Sequence, residues 1–145
     1  MRGERPWLAS YPSDVPRSIA PLPAESVFGL LESAAGRFPD RPAIAWFGKH
    51  LSYRQLLREV ELCSAMLAGL GVRKGDRVAL IMPNSPPFTI AFYACMRIGA
   101  VAVGNNPVYT AREMEHQLRD AEVNVVLVAD LMYADFADVF TAVGI

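Results

Sequence analysis

Apolar residues in the first half of the chain recur every three to four positions, a spacing that predicts amphipathic helices. One helix is expected from Val27 to about Arg37, with Ser26 as its N-terminal cap. A second should begin at a capping box formed by Ser52 and Gln55 and end near Leu70. The expected buried faces are Phe28, Leu31 and Ala35 in the first helix, and Leu56, Val60, Cys63, Leu67 and Leu70 in the second.

Between these helices, two short apolar segments predict a β-hairpin. Its strands are expected at residues 43–47 and 51–53, with Gly48, Lys49 and His50 forming the turn.

The second half contains continuous apolar runs, which are typical of strands covered on both faces. The strands are expected at residues 78–82, 100–103 and 123–128, and the helices that follow them at 85–98, 110–121 and 131–143. This alternation predicts two right-handed βαβ crossovers in one parallel sheet, so the fold class is α/β. Before residue 24, five prolines predict an irregular, extended arm at residues 1–24, which leaves 25–145 as the body of the domain.

Composition narrows the class of protein without identifying a reaction. The 145 residues are 52% apolar, and the net charge of −1 comes without any block of like charges, so we expect no nucleic-acid partner. The longest uncharged run, residues 78–96, is interrupted by Pro83, Pro86 and Pro87, so we expect no transmembrane segment. Cys63 and Cys95 lie in apolar helical patterns without metal-type spacing, which indicates buried thiols.

The stretch GNNPVYTAREMEHQLRD, residues 104–120, places a polar loop after the second predicted strand of the sheet. Ligands of open α/β sheets bind outside the carboxyl ends of the strands, so this loop could line a site. Alternatively, its two asparagines bond only to their own backbone. Elsewhere the sequence shows no phosphate-binding glycine loop, no nucleophile elbow, and no ligand spacing around His50 or His116, so we expect no catalytic or metal-binding residue.

Three stretches together resemble the N-terminal part of long-chain fatty-acid–CoA ligases, which belong to the adenylate-forming superfamily. They are WLASYPSDVP, LSYRQLLREVELCSAMLAGLGVRKGDRVALIMPNSP and GNNPVYTAREMEHQLRDAEVNVVLV, and the resemblance that they anchor covers nearly the whole chain in order. The resemblance implies a parent enzyme that converts a fatty acid and ATP, with Mg²⁺, into an acyl-adenylate and then into a thioester of coenzyme A.

The same resemblance implies that this chain is an incomplete N-terminal part of the large domain, because the family's phosphate loop, magnesium-binding glutamate and catalytic lysine follow later in the sequence. We therefore expect no cofactor and no activity in the fragment itself. By alignment with the family, Asn106, Pro107 and Val108 are candidates for one wall of the coenzyme A site. The family usually has proline where this chain has Ala111, which leaves Thr110 as the helix cap.

Two alternatives remain open at the level of the sequence. The chain could be a stand-alone α/β binding or interaction module, or part of an aryl-CoA ligase or of a peptide-synthetase adenylation domain. A truncated sheet should leave an edge unpaired and apolar helix faces uncovered, so we expect the fragment to self-associate. The expected location is cytoplasmic, either free or on the inner face of a membrane.

Overall fold

The computed structural model describes residues 5–18, 21 and 26–145, and most of the arm predicted at 1–24 is among them. Pro23, one of the prolines that predicted the arm, lies outside the described residues. Pro6–Ser10 forms a short 3₁₀ turn. The remaining elements are α1 (Val27–Arg37), β1 (Pro42–Trp46), β2 (Lys49–Ser52), α2 (Tyr53–Gly69), β3 (Arg77–Ile81), α3 (Pro86–Ile98), β4 (Val101–Asn105), α4 (Ala111–Asp120), β5 (Val125–Val128) and α5 (Asp130–Val143).

The predicted α/β class is confirmed by a parallel three-stranded sheet in the order β4-β3-β5. The central strand β3 is covered on both faces. Val78 and Leu80 pack in a core with α1, α2 and α3, whereas Ala79 and Ile81 pack in a second core with α4 and α5. All four side chains have zero exposure, which explains why the strand is a continuous apolar run.

The predicted starts of α1, α2 and α4 are confirmed, and they depend on bonds between near neighbours in sequence. The Ser26 hydroxyl accepts a hydrogen bond from the backbone N–H of Gly29 at 2.9 Å. Reciprocal capping boxes open α2, through Ser52, and α4, through Thr110. These caps satisfy N–H groups that have no partner inside the helix, so each helix begins where its cap stands.

The predicted hairpin turn was wrong in its position. Phe47 and Gly48 alone form the turn, with φ of +43° and +76°, and Lys49 and His50 belong to β2. Two consecutive residues with positive φ are the mark of a type I′ turn, whose twist matches that of the flanking strands. Asn, Asp and Gly dominate such turns, so phenylalanine gave no sequence signal for one.

The expected buried face of α2 was partly wrong. Leu56, Val60 and Leu67 are buried, but Leu70 is 66% exposed. Ser64 is buried instead, because its hydroxyl donates to the Glu61 carbonyl at 2.8 Å and accepts from the Arg97 guanidinium at 3.0 Å. A polar residue with both bonds made can lie in the core, which a purely apolar pattern does not anticipate.

Strand β4 begins one residue later and ends two residues later than predicted. Gly104 pairs with Leu80 and Asn105 pairs with Ile81, so the sheet continues to the end of β3. The connection to α4 is correspondingly shorter, and Asn105 becomes part of the sheet instead of the loop.

Candidate functional site

A cleft of about 410 Å³ opens at the carboxyl ends of β3 and β4. After β3 the chain turns to α3 on one face of the sheet, and after β4 it turns to α4 on the other face. Two neighbouring strands whose connections diverge in this way form a topological switch point, the usual ligand-binding position in open α/β sheets. The lining residues are Met82, Pro83, Asn84, Phe88, Gly104, Asn105, Asn106 and Pro107.

The wall contributed by the β3–α3 connection is mainly apolar. Ser85 precedes α3 but makes no capping bond with its side chain, and Pro86 and Pro87 occupy the first two helical positions. Proline carries no N–H, so within the first three positions only Phe88 can present a free backbone donor. A helix N-terminus binds phosphate through such donors, so this one is poorly equipped for an anion.

The opposite wall is a tight turn held by its own backbone. The Asn106 side-chain oxygen accepts from the backbone N–H of Val108 at 3.3 Å, and the Asn106 carbonyl accepts from the N–H of Tyr109 at 3.1 Å. This Asx turn directs Asn106 and Pro107 to the cleft. Val108 is 81% exposed and does not line the cleft.

Asn105 is the buried polar residue of the cleft, with 5% of its surface exposed. Its side-chain N–H donates to the Val103 carbonyl at 2.8 Å, which fixes the orientation of the amide. Within the described part of the chain, its buried Oδ1 has no hydrogen-bond donor. Leaving a buried acceptor unpaired is unfavourable by roughly 1–3 kcal/mol, so Asn105 is better matched to a donor supplied from elsewhere than to its present surroundings.

Asn105 was one of the two loop amides that the sequence indicated as able to line a site, but it was not among the coenzyme A candidates Asn106, Pro107 and Val108. A one-residue difference in where β4 ends decides which of the two asparagines is buried. The alternation of a strand could have indicated which asparagine is buried, because every second residue faces the same side of the sheet. Using this alternation requires knowing where the strand ends.

A shallower hollow along α4 contains Tyr109, Glu113, His116, Gln117 and Asp120. Hydrogen bonds from the Thr110 backbone N–H and hydroxyl, both 2.8 Å, hold the pKa of the Glu113 carboxyl below its usual value. The carboxylate is therefore engaged as a helix cap. Across the described residues, no three His, Cys, Asp or Glu side chains are grouped as they would be to hold a metal ion.

The two cysteines are in the places expected of structural thiols. Cys95 is fully buried and Cys63 half-buried. Burial, together with the neighbouring Cys63, raises the pKa of the Cys95 thiol to about 11. Since the thiolate is the reactive form, Cys95 is poorly suited to act as a nucleophile near neutral pH.

Comparison with known proteins identifies the family. A family model described as AMP-binding enzyme matches residues 31–142. The chain belongs to this family. Among curated relatives of this chain, the long-chain-fatty-acid–CoA ligase of Bacillus subtilis (strain 168) is 41% identical over 133 residues, covering 92% of the chain and 24% of the relative.

Solved structures support the same placement. The N-terminal domain of FACL13 from Mycobacterium tuberculosis superposes with a TM-score of 0.76 at 32% identity, covering 81% of this chain and 30% of that structure's chain. The N-terminal subdomain of NpsA from Klebsiella oxytoca, in complex with anthranilyl-AMSN, gives a TM-score of 0.71 at 30% identity, covering 74% and 28%. The chain thus spans about a quarter of the length of the curated relative. Among its described helices, none has both the length and the apolar character needed to cross a membrane.

Proposed function

We propose that this chain is the N-terminal part of an ATP-dependent fatty-acid–CoA ligase. The observation that carries the proposal is the 41% identity to a long-chain-fatty-acid–CoA ligase over 92% of the chain. In the proposed reaction, the carboxylate attacks the α-phosphorus of ATP to give an acyl-adenylate and pyrophosphate, and the thiol of coenzyme A then displaces AMP. We place the enzyme in the cytoplasm.

In this proposal, the chain supplies part of the scaffold and leaves the chemistry to other residues of the enzyme. Among the residues that the structure describes, those lining the cleft include no carboxylate, lysine, arginine or histidine. Stabilising the transferring phosphate and Mg²⁺ requires charged groups, so those groups must come from outside this cleft. The 145-residue chain alone should therefore not activate carboxylic acids.

The cleft is proposed as one wall of the coenzyme A site, with Asn106, Pro107 and Val108 on the cofactor side. Asn106 and Pro107 line it, and Val108 projects into solvent beside it. Coenzyme A carries amide and amino N–H donors, which match the unpaired acceptor of Asn105. An apolar wall with a few fixed polar atoms is typical of cofactor sites.

A chimera tests the ligase proposal directly. Residues 1–145 replace the matching quarter of the Bacillus subtilis relative, and the formation of fatty-acyl-CoA is measured. We expect an active chimera and no ATP–pyrophosphate exchange by the 145-residue chain alone. A folded chimera that binds ATP but fails to form the acyl-adenylate would contradict the assignment, and so would exchange by the isolated chain.

The coenzyme A wall has its own test in the same chimera. Asn106→Phe should raise KM for coenzyme A and leave ATP–pyrophosphate exchange unchanged, because only the second half-reaction uses the cofactor. Arg112→Gln, an exposed change just beyond the loop, is the control. An unchanged KM in Asn106→Phe would remove the site while leaving the ligase proposal intact.

A second candidate is an aryl-CoA ligase or peptide-synthetase domain, favoured by the NpsA superposition with anthranilyl-AMSN. The two candidates predict different acid substrates for the enzyme that contains this chain. Activation of anthranilate in preference to palmitate would favour the aryl alternative. If the reading frame after Ile145 contained no phosphate loop, the stand-alone module would be favoured instead.

We also propose that the chain self-associates. In the described residues, β4 and β5 each pair only with β3, so each has one open edge. Val101 in β4 is 48% exposed at such an edge. Light scattering should show that the apparent molar mass of the chain rises with its concentration. Val101→Lys should weaken the association, since a lysine at a strand edge opposes pairing with another strand. A monomeric mass at every concentration would refute the proposed self-association.

A further inference from the structure

The tip of the β1–β2 hairpin carries a phenylalanine that neither the backbone nor the core requires. Phe47 has a φ of +43°, where Asn, Asp or Gly would be less strained. Its side chain is 89% exposed, the highest value among the large apolar residues of the described chain. The position therefore combines a strained backbone with a large apolar group in water.

A second aromatic ring extends this apolar tip. Trp46 is 39% exposed and packs edge-to-face against Phe47, with 4.8 Å between ring centroids and an interplanar angle of 80°. The two rings lie at a two-residue turn, so the surface they form is convex. A convex tip is suited to entering a deformable surface, whereas a groove is suited to receiving a peptide.

The sequence segment that contains the hairpin is rich in positive charge. Between Asp40 and Glu59 the sequence contains four cations and no carboxylate, although the whole chain has a net charge of −1. Asp40 is itself paired with Arg54 at 3.1 Å. Lys49 is the cross-strand partner of Trp46, so one cation lies directly beside the aromatic tip. The other cations are Arg41, Arg54 and Arg58.

We propose that this tip, Trp46 and Phe47 with Lys49, docks on an anionic lipid bilayer. Aromatic side chains favour the interface between headgroups and acyl chains, and lysine and arginine are attracted to anionic headgroups. Together these features give a short hairpin an apolar contact and an electrostatic contact at the same place. The proposal does not depend on which acid the enzyme activates.

Binding to vesicles tests the proposal with the 145-residue chain. Sedimentation is compared for vesicles of phosphatidylcholine alone and of phosphatidylcholine mixed with phosphatidylglycerol. The chain should bind the mixed vesicles, and more weakly at high NaCl. Phe47→Asn suits the turn but removes the ring, and should weaken partitioning about tenfold. Lys49→Gln should weaken binding to the anionic vesicles specifically.

Leu70→Asn is the matched control, because Leu70 is also exposed but lies at the end of α2. It should bind vesicles as the unmodified chain does. A local readout comes from Trp46 in a Trp7→Phe background, where lipids with a quencher near the headgroup should reduce the fluorescence. Circular dichroism checks that each variant is folded.

Two results would overturn the proposal. The first is absence of binding to the mixed vesicles, and the second is equal binding by the chain and its Phe47→Asn variant. If that variant also lost self-association, the tip would be a contact between proteins. Quenching of Trp46 that is abolished by Phe47→Asn would support the bilayer.

Discussion

Asn105→Ala provides a quantitative test of the candidate cleft. The substitution removes the buried Oδ1 that has no donor in the described residues, which should stabilise the fold by roughly 1–3 kcal/mol. It also removes the bond to the Val103 carbonyl, a loss of about 0.5–1.5 kcal/mol. The lost packing is limited, because the site adjoins the open cleft. At their midpoints the gain exceeds the loss by about 1 kcal/mol, and the lost packing reduces this difference, so a change between zero and about 1 kcal/mol of stabilisation is expected.

Ser64→Ala is the matched control, since Ser64 and Asn105 are the buried polar residues of the described chain. Both hydrogen bonds of Ser64 are made, so its loss should destabilise by about 1 kcal/mol. Urea unfolding followed by circular dichroism gives the change in the free energy of unfolding for each variant, from the shift in midpoint at a common m-value. Destabilisation of Asn105→Ala by as much as Ser64→Ala would show that Asn105 is satisfied in the fold, and the argument for a missing donor would fail.

Three further predictions concern the scaffold and use the same unfolding measurement. Leu67→Ala should destabilise the fold by about 2–5 kcal/mol and Leu70→Ala by less than about 0.5 kcal/mol, because Leu67 is fully buried and Leu70 is exposed. Similar losses of stability in the two variants would contradict the assigned buried face of α2. Gly99→Ala should destabilise the fold by about 1–2 kcal/mol, because φ is +74° and the new Cβ would lie 3.0 Å from Lys74 Cγ. Gly36→Ala within α1 has free space around the new Cβ and should stabilise the fold by about 0.5–1 kcal/mol. If both substitutions changed the free energy of unfolding in the same direction, this reasoning would be contradicted. Because the pKa of Glu113 is lowered in the fold, its stabilising contribution is present above the ordinary carboxyl pKa of 4.5 and is lost as pH falls through the folded pKa. The stability of the unmodified chain relative to Glu113→Gln should therefore decrease on acidification. A stability difference that did not change with pH would exclude the proposed capping role of the Glu113 carboxylate.

The helices could be predicted because their signals are local. The capping boxes at Ser52 and Thr110 set where α2 and α4 begin, and each involves residues only three positions apart. The apolar run of β3 likewise indicated a strand buried on both faces. Tertiary pairing was not available in the same way, and the end of β4 depends on Ile81 pairing with Asn105 across the sheet.

The candidate cleft could be predicted only in part, for the same reason. The loop after the second strand indicated Asn106 and Pro107, which do line the cleft. The pattern did not indicate that Asn105 would be the buried amide or that Phe88 would line the cleft, because their contribution depends on the end of one strand and the direction of the connection after the other. Val108 was included by alignment with a family, and its exposure follows from the local turn.

Two residues other than glycine have positive φ in the described chain, and comparing them separates a structural cause from a functional one. Glu122, at +49°, follows the end of α4, where its N–H donates to the Arg119 carbonyl and its carboxylate contacts Arg77 at 3.2 Å. Those contacts account for its conformation. Phe47, at +43°, has its edge-to-face contact with Trp46 but remains almost fully exposed.

The type I′ turn explains the backbone conformation at position 47 but not why a phenylalanine occupies it, and a residue that the fold does not require is more informative about function than one that it does. A chain under selection for stability alone could place Asn at position 47 and an apolar residue at position 105 without losing a buried contact network. Both positions depart from the locally favoured residue, one at a surface tip and one in the cleft. A protein with two separate binding sites would show this pattern. The two substitutions Phe47→Asn and Asn105→Ala should then preserve stability and each impair a different interaction.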